Sequence, residues 1–333
     1  MSPLEEREWR RTGWMLGGAV LAAFMLFVSV FMYQAFYAPA GVPGIEETFA
    51  VPAGSTFDEV AMSLVNRGFV SSTWEFRLAF SLVGGSDIAP GGYTLSHGTN
   101  VFGIASTLKE APSSIWVTIP EGYRKEQVAD VLAQALGWTD AQKTEWLTVD
   151  TASPAEDREG VYYPDTYLLP RSGTPADVTK RIVAHSSQVF APYEAEAAAK
   201  GEKWTAVLTM ASLLEREGQM QDFPTIAGIL WNRLDAGMRL QVDATVQYAV
   251  GNEGNGWWPK VKPADLKAAS PYNTYLHAGL PPAPIANPDL AAIKAALEPA
   301  TTTCLYYLHD NRGVMHCAAT YAEHLAYIRR YLK

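Results

Sequence analysis

Two carboxylates at the end of an apolar helical stretch are the first residues of this chain that could do chemistry. The segment ASLLEREGQ, residues 211–219, carries Glu215 and Glu217, and Gly218 follows directly. Carboxylates act as general acids and bases, and pairs of them cleave glycosidic bonds. At 100° per residue, however, these two side chains project roughly 160° apart around a helix. They cannot act as a close pair on one ligand, so a paired mechanism would need a second carboxylate from elsewhere.

Glu217 is the better candidate for a proton donor. It follows Met210 and Leu213 on the apolar arc of the helix, and Gly218 is expected to end that helix. Partial burial and the negative end of the helix dipole both raise the pKa of a carboxyl group. A glutamate that is protonated at neutral pH can protonate a leaving group. The alternative from the same spacing is that both glutamates are surface residues that close a helix.

Long helices must position these carboxylates. From about residue 155 onward, the sequence predicts helices over 174–200, 203–217, 225–237 and 287–300, separated by polar and aromatic loops. Asn287 is the expected cap of the last helix, with Pro288 as its first residue. Rigid helices that carry polar loops are typical of active sites. The polar face of the second helix is predicted to hold Lys203, Thr205, Thr209, Ser212 and Arg216.

The region 46–115 has a different pattern. Its first stretch alternates as a strand and then turns helical, and Ser55 or Thr56 can cap that helix, with Glu59 at capping-box distance from Thr56. The same order of strand and helix returns over residues 113–136. Such units with few ionisable groups are typical of binding or positioning modules. The sequence therefore predicts an α+β protein, with a small strand and helix subdomain followed by a mainly helical domain with short β elements over 116–333.

An apolar N-terminal stretch predicts a transmembrane helix over residues 13–37. No charged side chain occurs from Thr12 to Ile45, which exceeds the ~20 apolar residues that a bilayer crossing needs. Three arginines precede the stretch, so the positive-inside rule predicts that residues 1–12 form a cytoplasmic tail and that the chain after the span lies on the outer side of the cell (inner) membrane. Residues 38–45 are the expected linker. The alternative is a cleaved signal peptide, because APA at 38–40 is faintly similar to a cleavage site. These arginines are Arg7, Arg10 and Arg11.

Composition excludes one class of partner. The net charge is -9 and the chain has no run of lysine or arginine, whereas nucleic acid demands a basic face. The six histidines form no His-x3-His pair, and Cys304 and Cys317 lack the spacing of zinc ligands. The sequence also contains no G-x-S-x-G motif and no phosphate-binding loop. We therefore expect neither a metal nor a cofactor.

The two cysteines flank a predicted hairpin, and two registers are open. If the loop is the two residues Asp310 and Asn311, then Cys304 and Cys317 face each other and can form a disulfide. If Gly313 instead closes a three-residue loop, the register moves by three and the cysteines are expected to lie too far apart.

Five ordered blocks of this sequence are distinctive: EGVYYPDTY (159–167), ASLLERE (211–217), NRLDAGMRLQVDATVQYAVG (232–251), SPYNTYLHAGLPPAPIANP (270–288) and YYLHDNRGVMHCAATYAEH (306–324). Together they resemble the YceG-like family of endolytic murein transglycosylases, which cut peptidoglycan glycan strands within the chain. The resemblance covers nearly the whole sequence, from the single N-terminal span to the C-terminus. It implies that Glu217 is the catalytic acid and that 46–115 is a LysM-like subdomain. Departures occur at Cys317, where the family often has an aromatic residue, and at Gly218.

The resemblance also implies a reaction. It is the non-hydrolytic cleavage of the β-1,4 bond between N-acetylmuramic acid and N-acetylglucosamine, which leaves 1,6-anhydromuramyl ends. One carboxylate suffices because the sugar supplies its own nucleophile. Peptidoglycan strands, the membrane and peptidoglycan synthases are the expected partners, during cell-wall elongation or division. The alternatives are a non-enzymatic, membrane-anchored peptidoglycan-binding scaffold and a hydrolase with the same groove.

Polar residues near Glu217 in these blocks are the expected substrate contacts. For Asn232 and Asp243 the alternatives are a helix-terminal bond and a turn, and Tyr272 and Tyr275 could instead fill the core. Glu215 is expected to be structural and to hold Arg216, Arg233 or Arg239; Arg233 and Arg239 could also meet acidic peptide stems. The expected substrate contacts are Glu159, Asp165, Asn232, Gln241, Asp243, Thr245, Tyr272, Asn273 and Tyr275.

Overall fold

The computed structural model describes residues 3–39, 44, 46–151, 159–252, 254 and 256–332. The chain combines helices with short strands that pair antiparallel, which confirms the α+β class. The chain divides into two compact units: Met1–Trp116 with Pro170–Ser172, and Val117–Leu169 with Gly173–Lys333. In chain order the elements are α1 (Pro3–Phe36), β1 (Glu46–Val51), α2 (Phe57–Asn66), α3 (Thr73–Leu82), β2 (Gly91–Ser96), α4 (Val101–Lys109), β3 (Ser114–Thr118), α5 (Lys125–Leu136), α6 (Asp140–Glu145), β4 (Thr166–Pro170), α7 (Pro175–Lys200), α8 (Trp204–Glu217), α9 (Phe223–Asp235), α10 (Asp243–Val250), α11 (Leu290–Leu297), β5 (Tyr306–His309), β6 (Met315–Ala318) and α12 (Tyr321–Tyr331).

Helix α1 contains the predicted apolar span. Its segment Trp14–Gln34 has 21 residues and a mean hydropathy of 2.3, so it is long and apolar enough to cross a bilayer. The helix begins at Pro3, inside the predicted tail. Of the predicted linker, residues 40–43 and 45 lie outside the described residues. At the end of α1, Phe36 is only 3% exposed, and its ring lies 5.7 Å from the rings of Trp74 and Phe102.

The first unit packs helices α2, α3 and α4 against an antiparallel strand pair. Strands β1 and β2 pair in register, and Phe49 and Val51 of β1 point into the core because alternate residues of a strand face one side. Gly91 starts β2 with a φ of 149°, and a Cβ at that position would lie 2.6 Å from the carbonyl oxygen of Ser114. Only glycine fits this close approach of β2 to β3.

Two predicted helix caps have different outcomes. Thr56 caps α2 in a capping box with Glu59, as the sequence predicts. The prediction that Asn287 caps α11 is wrong: that helix begins at Leu290, and the side chain of Asp289 accepts a hydrogen bond from the N–H of Ala292. Asn287 is fully buried and is used for long-range contacts instead. Both residues are good cap formers, so local sequence alone does not choose between them.

Helix α8 is the centre of the second unit, where α7, α9, α10 and α11 surround it. The prediction of a polar face is therefore wrong for Thr209 and Ser212, which are 3% and 0% exposed. Their hydroxyl groups donate to main-chain carbonyls within the helix, and Ser212 Oγ also accepts from the N–H of Ile285 at 3.0 Å. Small hydroxyl side chains that satisfy the backbone can thus lie in a buried stretch of a helix, here residues 207–214.

The predicted hairpin forms with the longer of the two loops. Strands β5 and β6 pair antiparallel, and Gly313 ends a three-residue loop with a φ of 79°. The expectation that the cysteines would then be too far apart is wrong, because Cys304 and Cys317 form a disulfide with a Cα–Cα distance of 5.8 Å. Cys304 precedes β5, so the strand register does not fix its position. The N–H of Leu305 donates to the carbonyl of Ala318 and keeps this segment beside β6.

Candidate active site

A cavity of about 290 Å³ lies in the second unit beside the C-terminal end of α8. Residues from α8, α9, α10, β5 and α12 line it, so widely separated parts of the chain contribute. Its walls combine carboxylates, one arginine, one amide and several aromatic rings. A polar cavity with aromatic walls suits a carbohydrate, whose rings present both hydroxyl groups and apolar C–H faces. The lining residues are Glu217, Arg233, Gln241, Asp243, Tyr275, Tyr306, Tyr307, Tyr321 and His324.

Glu217 is the last residue of α8, and Gly218 ends the helix in extended conformation, as the sequence predicts. The hydroxyl group of Tyr307 donates to Oε2 of Glu217 at 2.6 Å, and the N–H of Ala244 donates to Oε1 at 3.4 Å. Burial raises the pKa of Glu217, and the negative charge of Asp243 raises it further, while the hydrogen bonds from Tyr307 and Ala244 lower it. The net direction is upward, which favours the protonated acid.

Glu215 is held in a different environment, as the helical spacing predicts. Its Oε2 accepts a hydrogen bond at 3.0 Å from the N–H of Asp289, the cap of α11. Burial raises the pKa of Glu215 to about 7, so a raised pKa does not by itself distinguish the two glutamates. Glu215 is not among the residues that line the cavity, whereas Glu217 is. The two glutamates therefore differ in their access to the cavity and not in the direction of their pKa shift.

The three arginines considered as partners of Glu215 have other contacts. Arg216 lies over the ring of Trp258 at 4.1 Å, although its positive charge still lowers the pKa of Glu215. Arg233 is 8% exposed and donates to the carbonyls of Leu240 and Leu305 at 2.5 Å each. Arg239 donates to the carbonyl of Tyr275 at 3.1 Å.

Three of the expected substrate contacts meet Glu217 at the cavity. Asp243 is the first residue of α10, and its Oδ1 accepts a hydrogen bond from the hydroxyl group of Tyr275 at 2.6 Å. Gln241 has a φ of 50°, a left-handed conformation that is rare for residues other than glycine. Such strained backbone is frequent at functional sites. The start of α10 also places the N–H of Ala244 where it reaches Glu217.

Two of the expected contacts lie away from this cavity. Glu159 is 1% exposed and accepts the N–H of Lys125 with both carboxyl oxygens, at 2.9 and 3.1 Å. Burial raises its pKa to about 8. Oδ2 of Asp165 lies 2.7 Å from Nε2 of His185. Neither residue lines the cavity, and their assignment to the substrate stays a prediction.

Four further expected contacts have structural partners in the same unit. Asn232 donates from Nδ2 to the carbonyl of Thr302 at 2.8 Å, which ties α9 to the segment before β5. Thr245 and Asn273 are both 0% exposed and bond to neighbouring backbone groups. Tyr272 packs its ring 4.7 Å from that of Tyr248. These four residues do not line the cavity either, and their contact with substrate also stays a prediction.

Four cavity residues were missed as candidates from the sequence. They belong to the recognised block 306–324, which was the available signal. The contact that matters most, Tyr307 with Glu217, joins residues 90 positions apart, and no local pattern predicts such a pair. The missed residues are Tyr306, Tyr307, Tyr321 and His324.

The arrangement is suited to proton transfer. In the part of the chain that the structure describes, no group of three or more His, Cys, Asp or Glu side chains could hold a metal ion. One carboxyl group with a raised pKa opens into a polar cavity, and a second carboxylate, Asp243, lines the same cavity. This geometry fits general acid catalysis on a polar substrate.

Known proteins are similar to this chain in sequence and in fold. A protein of Bacillus subtilis named endolytic murein transglycosylase is 29% identical over 297 residues, which cover 82% of this chain and 81% of that protein. A protein of the same name from Streptococcus pneumoniae strain D39 is 26% identical over 312 residues, which cover 83% of this chain but only 57% of that protein. The chain thus spans little more than half of the length of the pneumococcal relative.

The fold comparison agrees. The crystal structure of a YceG-like protein from Listeria monocytogenes superposes with a TM-score of 0.58 at 28% identity, and the match covers 85% of this chain and 99% of that chain. The sequence model of the YceG-like family matches residues 49–330. These matches confirm the resemblance that the five sequence blocks indicate, and the chain belongs to the YceG-like family.

Proposed function

We propose that this protein is an endolytic lytic transglycosylase that cleaves the glycan strands of peptidoglycan, with Glu217 as its catalytic acid and base. The observation that carries the proposal is the placement of Glu217. Burial raises the pKa of Glu217, and the side chain lines a cavity with polar and aromatic walls. In addition, relatives of this chain are named endolytic murein transglycosylases. Cutting within the strand rests on the names of those relatives.

In the first step, protonated Glu217 gives its proton to the oxygen that bridges C1 of N-acetylmuramic acid and C4 of N-acetylglucosamine. The C1–O bond breaks, the N-acetylglucosamine side leaves as a free hydroxyl group, and positive charge develops at C1. The carboxylate of Asp243 lines the same cavity and favours this positive charge. This step requires a carboxyl group that carries a proton, and burial shifts the pKa of Glu217 upward, in the direction that favours the protonated form.

In the second step, the C6 hydroxyl group of the muramyl residue attacks C1 and its proton passes to the carboxylate of Glu217. A 1,6-anhydro ring forms and the acid is regenerated, so water is not consumed. Because the substrate provides the nucleophile, the second carboxylate of ordinary glycosidases is not needed. We place contacts with the sugar at Gln241, Asp243 and Tyr275, which share the cavity with Glu217.

We also propose that α1 anchors the chain in the cell membrane with its N-terminus in the cytoplasm. The length and hydropathy of Trp14–Gln34 support a span, and the arginines before it support the orientation. Region 46–115 would act as the LysM-like subdomain that binds or positions glycan strands, and peptidoglycan synthases are candidate partners. Labelling of a single cysteine introduced in the second unit by a membrane-impermeant maleimide in intact cells tests the orientation, because the native cysteines are paired.

The activity test uses the full chain in detergent micelles with uncrosslinked glycan strands as substrate. We expect mass spectrometry to show new 1,6-anhydromuramyl ends with the wild type, and these ends to fall about 100-fold or more with Glu217→Gln. Glu215→Gln is the matched control, since it makes the same change on the same helix outside the cavity, and it should retain activity. Loss of activity in Glu215→Gln with retention in Glu217→Gln would contradict the assignment.

The same assay separates the rival functions. A hydrolase with this groove would give reducing muramyl ends that carry one more water. A peptidoglycan-binding scaffold would give no new ends, although the strands would still bind. Either product pattern from the wild type would replace the proposed reaction.

A further inference from the structure

We propose that Tyr307 is a positioning residue for Glu217: its hydroxyl group holds Oε2, so that the transferable proton is carried by Oε1. This inference rests on the proposed role of Glu217. Tyr307 lies in β5, and its Oη is 2.6 Å from Oε2. This distance is within the range of a charge-assisted O–H···O bond.

The direction of this hydrogen bond is fixed. A carboxylate only accepts, so Tyr307 must donate when Glu217 is ionised. Burial and the negative charge of Glu217 raise the pKa of Tyr307 well above its ordinary value, so the phenol keeps its proton throughout the reaction. Tyr307 is thus a donor to Glu217 both before and after proton transfer.

The two carboxyl oxygens of Glu217 therefore differ. Oε2 receives the short bond from Tyr307, whereas Oε1 receives, from the described residues, one long bond, at 3.4 Å, from the N–H of Ala244. In the protonated acid, the carbonyl-type oxygen is the better acceptor, so the bond from Tyr307 favours protonation of Oε1. After the proton leaves, the same bond stabilises the carboxylate that must act as base.

The strand pairing holds Tyr307 independently of α8. Tyr307 lies opposite Cys317 in the ladder of β5 and β6, and Cys317 is bonded to Cys304. The donor is therefore fixed by a covalently closed hairpin while the acceptor is fixed by the helix end. Two rigid elements that meet at one hydrogen bond can hold a carboxyl group in one orientation. A catalytic group that is already oriented raises the reaction rate.

Other titratable or charged groups also lie near Glu217 or share its cavity. Because they are the same in wild type and variant, a difference between the two isolates the hydroxyl group of Tyr307. These groups are Asp243, Tyr275, Arg233, Arg216, His309 and His324.

The test is Tyr307→Phe in the full chain, which removes the hydroxyl group and keeps the ring. We expect kcat to fall about 10-fold to 100-fold. We also expect the alkaline limb of the pH profile to move upward by about one unit, because Glu217 loses a bond that lowers its pKa. If Tyr307 had only a structural role, Tyr307→Phe would reduce activity without moving the alkaline limb of the pH profile. The control is Tyr331→Phe, whose ring stacks on His316 of the same hairpin at 3.8 Å and lies outside the cavity lining, and it should leave both kcat and the limb unchanged.

A second measurement does not depend on activity. Isotope-edited infrared titration reports the carboxyl band of Glu217, assigned by its loss in Glu217→Gln, and this band should titrate at higher pH in Tyr307→Phe. An unmoved limb or an unmoved band would overturn the positioning role. Retained activity in Glu217→Gln would instead refute the proposed function, so the two failures are distinguishable.

Discussion

Replacing Glu159 with glutamine should change how the stability of the second unit depends on pH. Glu159 is 1% exposed and is bonded to the N–H of Lys125, to the hydroxyl group of Tyr248 and to the amide of Asn287. These contacts join the start of α5 to α10 and to the segment before α11. The side chain is thus a structural centre, and burial raises its pKa from 4.5 to about 8.

The sign of the effect follows from this raised pKa. The folded state binds a proton at Glu159 more tightly than the unfolded state, so its contribution to stability is complete below about pH 4.5 and is lost as pH rises toward 8. With those two pKa values, the lost free energy of unfolding between about pH 5 and about pH 9 is on the order of 4 kcal/mol. Glutamine does not titrate and should not show this loss.

Urea denaturation of the full chain in detergent micelles, followed through the transition of the second unit, measures the difference directly. At about pH 5 Glu159 is protonated, and both of its carboxyl oxygens can still accept from the N–H of Lys125. We expect Glu159→Gln to be less stable than wild type at this pH, because the amide NH2 group of glutamine cannot accept a hydrogen bond. Between about pH 5 and about pH 9, the difference in free energy of unfolding between the variant and wild type should shift in favour of the variant by about 4 kcal/mol. Glu215→Gln is a useful comparison, since its pKa of about 7 predicts a smaller change that ends at lower pH. A difference between wild type and Glu159→Gln that stays constant with pH would refute the reasoning.

Three further changes test the fold. Replacement of both Cys304 and Cys317 by serine opens a loop with a sequence separation of 13 and should lower the free energy of unfolding by about 3 kcal/mol in urea denaturation; an unchanged midpoint would contradict this. Gly228→Ala should destabilise by about 1–3 kcal/mol, although alanine favours helices, because the new Cβ would lie 2.3 Å from the carbonyl oxygen of Ala300; a raised thermal midpoint would refute it. Thr56→Ala should cost about 1 kcal/mol through loss of the cap of α2, and an unchanged denaturation curve would show that the cap is unimportant.

Local signals predicted the elements that depend on neighbouring residues. The capping box of Thr56, the helix end at Gly218 and the opposite placement of Glu215 and Glu217 all follow from spacing within one turn or one helix. Where two neighbouring residues could both cap a helix, the prediction from sequence was wrong. It chose Asn287 instead of Asp289 as the cap of α11, because the long-range bonds of Asn287 are invisible to a local pattern.

The sequence by itself determined that one glutamate ends an apolar helix and that its neighbour two positions earlier faces elsewhere, because helical periodicity is a property of the chain alone. Tertiary structure decided the rest of the candidate site. It buried Thr209 and Ser212, kept Glu159 and Asn273 away from the cavity, and brought Tyr307 to Glu217. These outcomes depend on how separate elements pack against α8, and that packing sets burial, hydrogen bonding and pKa together.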